Sequence, residues 1–285
     1  MKEYRIFMKE IPQASIKPFL SWAGGKTWIQ KSIKQYLPSS INNYHEPFLG
    51  GGSVFINLKS TGYIKNRSFL SDRNLELINA YDIIKTKLEA LIELLKEYRN
   101  EKEFYYFVRN QSYTNNVQRA AQFIYLNRTS FNGIYRVNLN GEYNVPYGYK
   151  TYNELFDFDN LVRLNRLFQN ASFNSIDFEE TIGNIKQNDL VFLDPPYTVA
   201  HGNNGFIKYN QKIFAWEDQE RLLRFIEQIK SKQAFFIMTN AAHKNIDSLF
   251  NNIGGKIIIN RHSLVGGKGA TRKEISEYLF TNTRI

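Results

Sequence analysis

A chain of 285 residues with net charge +10, 42% hydrophobic and 22% charged, has the composition of a folded globular protein that meets an anionic partner, nucleic acid being the commonest. It contains no cysteine, which excludes disulfides, thiol nucleophiles and thiolate metal sites and suits a reducing cytoplasm. No apolar run reaches the ~18 residues that a membrane span needs.

The opening stretch "MKEYRIFMKEIPQ" carries charges on both sides of a short apolar patch and lacks a small-residue cleavage site, so it does not read as a signal peptide. Next comes "SWAGGKTW" (21–28), which looks like the end of a nucleotide-phosphate loop. That loop needs a glycine five places before the last Gly of its Gly-Lys-Thr triplet, and Leu20 stands there. Lys17 and Pro18 also interrupt any strand running into it. Lys26 therefore has a task other than holding a triphosphate.

Short, continuously apolar strands ended by turn residues are predicted around 44–52 (YHEPFLGGG), 67–72 (RSFLSD), 189–197 (DLVFLDPPY), 234–240 (AFFIMTN) and 256–260 (KIIIN). Helical spacing runs through 71–98 and 216–232. Alternating strands and helices imply an α/β fold whose ligands bind at the carboxyl ends of the strands. Between 76 and 165 the alternation stops. Helical patterns are followed there by "RVNLNGEYNVPYG" (136–148), in which Asn140-Gly141 signals a two-residue hairpin. The expected organisation is an α/β domain from 1–75 and 166–285, with a mostly helical insertion, 76–165, carrying a β-hairpin. Within the insertion, residues 104–150 hold Arg109, Arg119, Arg128, Arg136 and Lys150 against Glu142 alone, among many Tyr, Phe and Asn. Such a mixture suits a surface that holds phosphates and stacks or reads bases.

Asp194-Pro195-Pro196-Tyr197 follows four apolar residues at a strand exit. The prolines fix φ and lack N–H groups, so a carboxylate, a carbonyl and an aromatic face are held in a rigid array. An exocyclic amino group on a planar base needs such an array: its lone pair is delocalised, and two acceptors on its hydrogens stabilise the positive charge that develops. In "EPFLGGGSVF", Gly50, Gly51 and Gly52 permit close approach of a ligand and Ser53 can begin a helix. Asp72, after the next strand, suits the hydroxyls of a ribose. Asp177 with Phe178 can bond an adenine amino group and stack on its ring; Asp177 alone reads more readily as a turn or cap residue than as a ligand.

In order along the chain, "FLSWAGGKTWIQKSIKQYLP", "YHEPFLGGGSVF", "LSDRNLELINAYDIIK", "FIYLNRTSFNGIYRVNLNGEYNVPYG", "SIDF", "DPPY" and "EISEYLFTN" resemble the DNA adenine methylase family over nearly the whole length. The resemblance implies a Rossmann-like methyltransferase sheet and transfer of a methyl group from S-adenosyl-L-methionine to adenine N6 in double-stranded DNA, without a metal. It implies a catalytic set of Asp194, Pro195, Pro196 and Tyr197. It further implies cofactor contacts from Trp22, Ala23, Gly24, Lys26, Phe48, Gly50, Gly52, Ser53, Asp72, Asp177, Phe178 and Asp194, with Lys26 near the cofactor carboxylate. DNA contacts are implied at Arg128, Phe131, Asn132, Ile134, Arg136, Asn138, Pro146 and Lys150, with Phe131 filling the gap left by a flipped base. These matches favour a GATC-like site. Ser21 stands where the GATC-specific branch commonly has a lysine, and Lys150 where an aromatic is frequent, so discrimination at the outermost base pair is expected to be relaxed. The expected setting is the cytoplasm of a prokaryotic cell or phage-infected host. Asp-Pro-Pro-Tyr by itself also serves RNA bases and protein amides, and a non-catalytic DNA-binding protein could keep the same fold.

Overall fold

The computed structural model describes residues 15–26, 29, 32–138, 140–198, 214–262 and 274–283. The opening stretch read above as lacking signal-peptide character, and Thr27 and Trp28 of the Gly-Gly-Lys segment, lie outside the described residues. The chain divides into two compact units: residues 1–25, 51–60 and 76–169, and residues 26–50, 61–75 and 170–285.

The second unit holds a seven-stranded sheet. Its strands are β1 (Tyr44–Glu46), β2 (Ser68–Ser71), β3 (Ala171–Asn174), β4 (Leu190–Leu193), β5 (Phe235–Ala241), β6 (Gly255–His262) and β7 (Glu274–Thr281), in the order β3-β2-β1-β4-β5-β7-β6. The first five run parallel, while β7 inserts antiparallel between β5 and β6. Parallel central strands are covered on both faces, which is why β4 is Leu-Val-Phe-Leu and wholly buried. Two helices of this unit, α7 (Trp216–Ser231) and α8 (Lys244–Phe250), pack on it around Phe178, Leu193, Phe225, Phe236 and Phe250. The reversal of strand order between β1 and β4 puts the exits of β1, β2, β4 and β5 together, the usual ligand crevice of such sheets. At the opposite end of β4, His45 Nε2 lies 2.8 Å from Asp189 Oδ2, which also accepts the Lys186 N–H. Burial pushes the Asp189 carboxyl up, but bonds from His45, Lys186 and Asn43 outweigh it and hold it below the ordinary aspartate range.

The first unit is helical: α1 (Ser53–Ser60), α2 (Leu75–Thr86), α3 (Leu88–Lys96), α4 (Lys102–Arg109), α5 (Asn116–Thr129) and α6 (Phe158–Leu167). The helical pattern expected over 71–98 forms two helices, because Lys87 leaves the helical region (φ −139°, ψ 38°). Asn115 caps α5 by accepting the N–H groups of Val117 and Gln118. Eight residues of α5 are buried, including Ala120, Ala121 and Tyr125, so it is the central helix of its unit. The hairpin closes through Asn138 N–H to Glu142 O (2.9 Å), a wider loop than the two-residue turn expected from Asn140-Gly141. The cause is the Asn138 side chain, whose Oδ1 accepts the N–H groups of both Asn140 and Glu142, with Gly141 at φ 81°.

Candidate active site

β4 stops at Leu193 because Pro195 and Pro196 have no N–H to continue a ladder, and Asp194 emerges at its carboxyl end. Asp194 Oδ1 accepts from Lys26 Nζ at 2.9 Å and from Thr239 Oγ1 of β5 at 2.7 Å. Among the described residues, no hydrogen bond falls on Asp194 Oδ2 or on the Pro195 carbonyl. Burial pushes the Asp194 carboxyl above the ordinary aspartate range; Lys26 and Thr239 pull it back, and the charge of Glu277 pushes it further up. Tyr197 O–H donates to Glu277 Oε2 at 2.5 Å. Burial first, then the negative charges of Asp194 and Glu277, holds the phenol well above its usual range, so it is a donor at any working pH.

Lys26 is almost fully buried at 5% side-chain exposure, between Asp194, Glu277 (Oε2 at 3.6 Å) and the Tyr197 ring, with Nζ 4.7 Å from the ring centroid. The glycine-lysine segment thus delivers an ammonium to the Asp-Pro-Pro-Tyr array, a placement that sequence alone did not suggest. Glu277 and Thr239 were also missed. Glu277 sits in a strand of mixed polar and apolar residues, and only the insertion of β7 next to β5 discloses its surroundings.

At the exit of β2, Asp72 accepts Gly50 N–H through Oδ2 and Asn74 N–H through Oδ1, both at 3.0 Å. Burial raises this carboxyl, and backbone bonds from Asn74, Gly50 and Arg73 oppose the rise. Three of the four acceptor positions of an ionised carboxylate are thereby used, which leaves acceptor capacity for a ribose hydroxyl. Gly50 and Gly52 have φ of 49° and 62°, values that L side chains rarely adopt. Phe48 is half-buried beside this loop. These features fit a nucleoside.

Asp177 caps the short helix Phe178–Asn184 in a reciprocal capping box with Glu180. Its Oδ1 also takes Arg221 Nη2 at 2.6 Å, and Arg221 reaches Glu179 and Asp218 as well. Phe178 is 2% exposed, packed among Phe48, Phe214 and Phe225 with the Arg221 guanidinium over its ring. Both therefore have a structural employment within the sheet unit.

The remaining expected cofactor residues, Trp22, Ala23, Gly24, Gly52 and Ser53, belong to the helical unit. Trp22 stacks on Tyr135 with centroids 5.6 Å apart, and a Cβ on Gly51 would lie 3.0 Å from Trp22 Cβ. Asn127 ties the same segment to the residues after α5. Its Oδ1 accepts Ser21 N–H at 2.9 Å, and its Nδ2 donates to Ser21 O at 2.8 Å and Gly133 O at 3.0 Å.

Phe131 is 52% exposed, lifted out by consecutive left-handed residues, Asn132 (φ 55°) and Gly133 (φ 64°). Pro146, whose carbonyl accepts Phe131 N–H, is exposed beside it, and Ile134 is half-buried. Arg136 is exposed, with Nε donating to Asn144 Oδ1 at 2.7 Å. Asn138 spends its side chain on the turn and on Glu142. Arg128 is held by Leu155 O and stacks on Tyr152, and burial together with the charge of Arg128 draws the Lys150 ammonium below its ordinary range. Tyr149, 68% exposed at φ 50°, is an outward aromatic that the sequence reading passed over. Tyrosine hydroxyls fasten the hairpin: Tyr105 to Val145 O at 2.8 Å, and Tyr143 to Ile134 O at 2.6 Å.

Among the described residues no group of three His, Cys, Asp or Glu is placed to hold a metal, and no helix is long and apolar enough to cross a membrane. The chain is 36% identical over 290 residues to the type II methyltransferase M.MjaIII of Methanocaldococcus jannaschii, covering 94% of this chain and 99% of that protein. It is 33% identical over 279 residues to the type II methyltransferase M1.LlaDCHI of Lactococcus lactis subsp. cremoris (94% and 96% covered). The DNA adenine methylase of Haemophilus influenzae shares 33% over 249 residues, with 84% and 85% covered. Residues 22–264 match the family described as D12 class N6 adenine-specific DNA methyltransferase. That match spans the Gly-Gly-Lys segment, the glycine turn and Asp-Pro-Pro-Tyr together, and the chain belongs to this family of adenine-specific DNA methyltransferases.

Proposed function

We propose that this enzyme acts on duplex DNA, flips the target adenine out of the stack, and works at a GATC-like site whose outermost base pair is read loosely. A stacked adenine cannot present N6 to a rigid array at a strand exit, so the base must leave the helix. The observation that carries the reading is Asp194 at the exit of β4: its Oδ1 is tied to Lys26 and Thr239, while Oδ2 and the carbonyl of the adjoining Pro195 take no hydrogen bond among the described residues. Two acceptors there take the two hydrogens of an exocyclic amino group and stabilise the positive charge that grows on nitrogen. Lys26 covers one face of Tyr197, so the flipped base stacks on the other. The family's cofactor, S-adenosylmethionine, supplies an electrophilic methyl group when bound. Asp72 fits its ribose diol, and Phe48 and the Gly50 turn fit the flat side of the nucleoside.

Asp72→Ala is expected to weaken S-adenosylmethionine binding by about 2 kcal/mol, through lost hydrogen bonds to a charged acceptor, with DNA affinity unchanged. Calorimetry with cofactor and filter binding with DNA check it; equal cofactor affinity in variant and wild type contradicts the assignment.

The helical unit serves target recognition. Its exposed Phe131 fits the vacancy left by a flipped base, and Arg136 fits a guanine through a bidentate contact, with Ile134 and Pro146 beside a thymine methyl. Arg136→Ala is expected to cost ~1–3 kcal/mol of discrimination at one base pair. If Arg136 held only a phosphate, the loss would fall on all sequences alike. The experiment is mapping of methylated adenines, by polymerase kinetics, in DNA from cells expressing wild type or variant. A shared adenine-thymine core with a variable outer base supports the reading, and its absence, or an Arg136→Ala profile unchanged in preference, overturns it.

A further inference from the structure

Glu277 has no part in the chemistry described so far, yet it is 1% exposed and lies in contact with two groups of the site. Asp194 and Glu277 both bring a carboxylate to the one ammonium of Lys26, at 2.9 and 3.6 Å. Without Glu277, Lys26 would keep Asp194 as its nearer carboxylate, and Tyr197 would lose the carboxylate that accepts its hydroxyl.

We propose that Glu277 is the positioning residue of the methyl-acceptor site: Oε2 fixes the Tyr197 ring through its hydroxyl, and its charge divides the attention of Lys26, leaving Asp194 basic enough to accept the adenine amino group. The proposal rests on the reading that Asp194 and Tyr197 hold the adenine. The distances support it, with the Tyr197 hydroxyl at 2.5 Å and Lys26 Nζ at 3.6 Å from the same Oε2. So does topology: β7 runs antiparallel beside β5, which brings Glu277 opposite Ala241, while Thr239 of β5 binds Asp194. The groups facing Asp194 are Lys26, Thr239, Tyr197 and Glu277. Of these, Glu277 alone raises its carboxyl by charge, in addition to burial.

The test compares Glu277→Gln, Glu277→Ala and Tyr197→Phe in steady-state methylation of duplex DNA. Glu277→Gln keeps an acceptor for Tyr197 but removes the charge. Asp194 must be ionised to stabilise the positive charge growing on the amino nitrogen, so the acid limb of the kcat profile is expected to move to lower pH. Its kcat at neutral pH is expected to fall less than that of Glu277→Ala, which loses both contributions and drops about tenfold or more, with KM for the cofactor little changed. Adding Glu277→Ala to Tyr197→Phe should cost clearly less than the product of the two single losses, because both remove the same hydrogen bond. If Glu277→Ala fails to fold, the Glu277→Gln limb still decides the matter. An unmoved acid limb in Glu277→Gln, or fully multiplicative losses in the double variant, overturns the proposal. If Asp194→Ala remained active, the underlying reading would fail instead, whatever Glu277 does.

Discussion

Asp194→Ala is expected to lower kcat by about a hundredfold or more, corresponding to ~2.7 kcal/mol of transition-state stabilisation. The fold should survive, because Lys26 keeps Glu277 as an anionic neighbour at 3.6 Å and Thr239 faces the space left by a small side chain. DNA affinity should stay close to wild type, since the residues proposed to meet DNA belong to the helical unit. Asp194→Asn is expected to be nearly as poor. A neutral amide stabilises developing positive charge weakly, and Lys26 loses its nearest counter-charge. A single-turnover assay at saturating cofactor and DNA measures this directly. Either variant retaining more than about a tenth of the wild-type rate, a loss below ~1.4 kcal/mol, would remove Asp194 from the role given to it.

Asn127→Ala is expected to destabilise the fold by about 2–3 kcal/mol, because a buried backbone group left without a partner costs ~1–3 kcal/mol. Gly133 O is such a group, and Ser21 N–H and Ser21 O depend on the same amide through part-buried bonds. The side chain is 1% exposed, so water does not readily replace it. Asn127→Asp should be no better, since a carboxylate can accept from Ser21 N–H but cannot donate to the two carbonyls. Denaturant unfolding checks both variants; a loss under ~1 kcal/mol in Asn127→Ala would show that the three backbone groups find other partners.

The parallel centre of the sheet was legible because β4 and most of β5 are short apolar runs, and β1, β2 and β4 stop at Pro47, Asp72 and Asp194. β3 was not, because Ala-Ser-Phe-Asn is short, half-polar and at the sheet edge, where pairing with β2 and not composition makes the strand. β7 was quoted as a motif and not read as a strand, for Glu274, Ser276 and Glu277 leave its first half mostly polar, and the burial of Glu277 beside Lys26 and Tyr197 follows from tertiary contacts. In the site, Asp194 and Asp72 were legible because chemistry and position coincide at strand exits. The partners of Lys26 were not, since they come from residues more than a hundred places away in sequence. Asp177 was legible as an acidic residue at a turn, but its bond to Arg221 joins two distant segments that no local pattern connects.

The way the recognition hairpin is fastened has a consequence for how such enzymes diversify. Tyr105 and Tyr143 grip main-chain oxygens, Val145 O and Ile134 O, and a carbonyl is the same whichever residue carries it. The exposed side chains at Arg136 and Pro146 are therefore expected to be exchangeable without unseating the loop that bears them. With this tip as the proposed reader of the target, a lineage would redraft the sequence it marks by substitutions there, each nearly silent in folding, while the methylating machinery is inherited untouched.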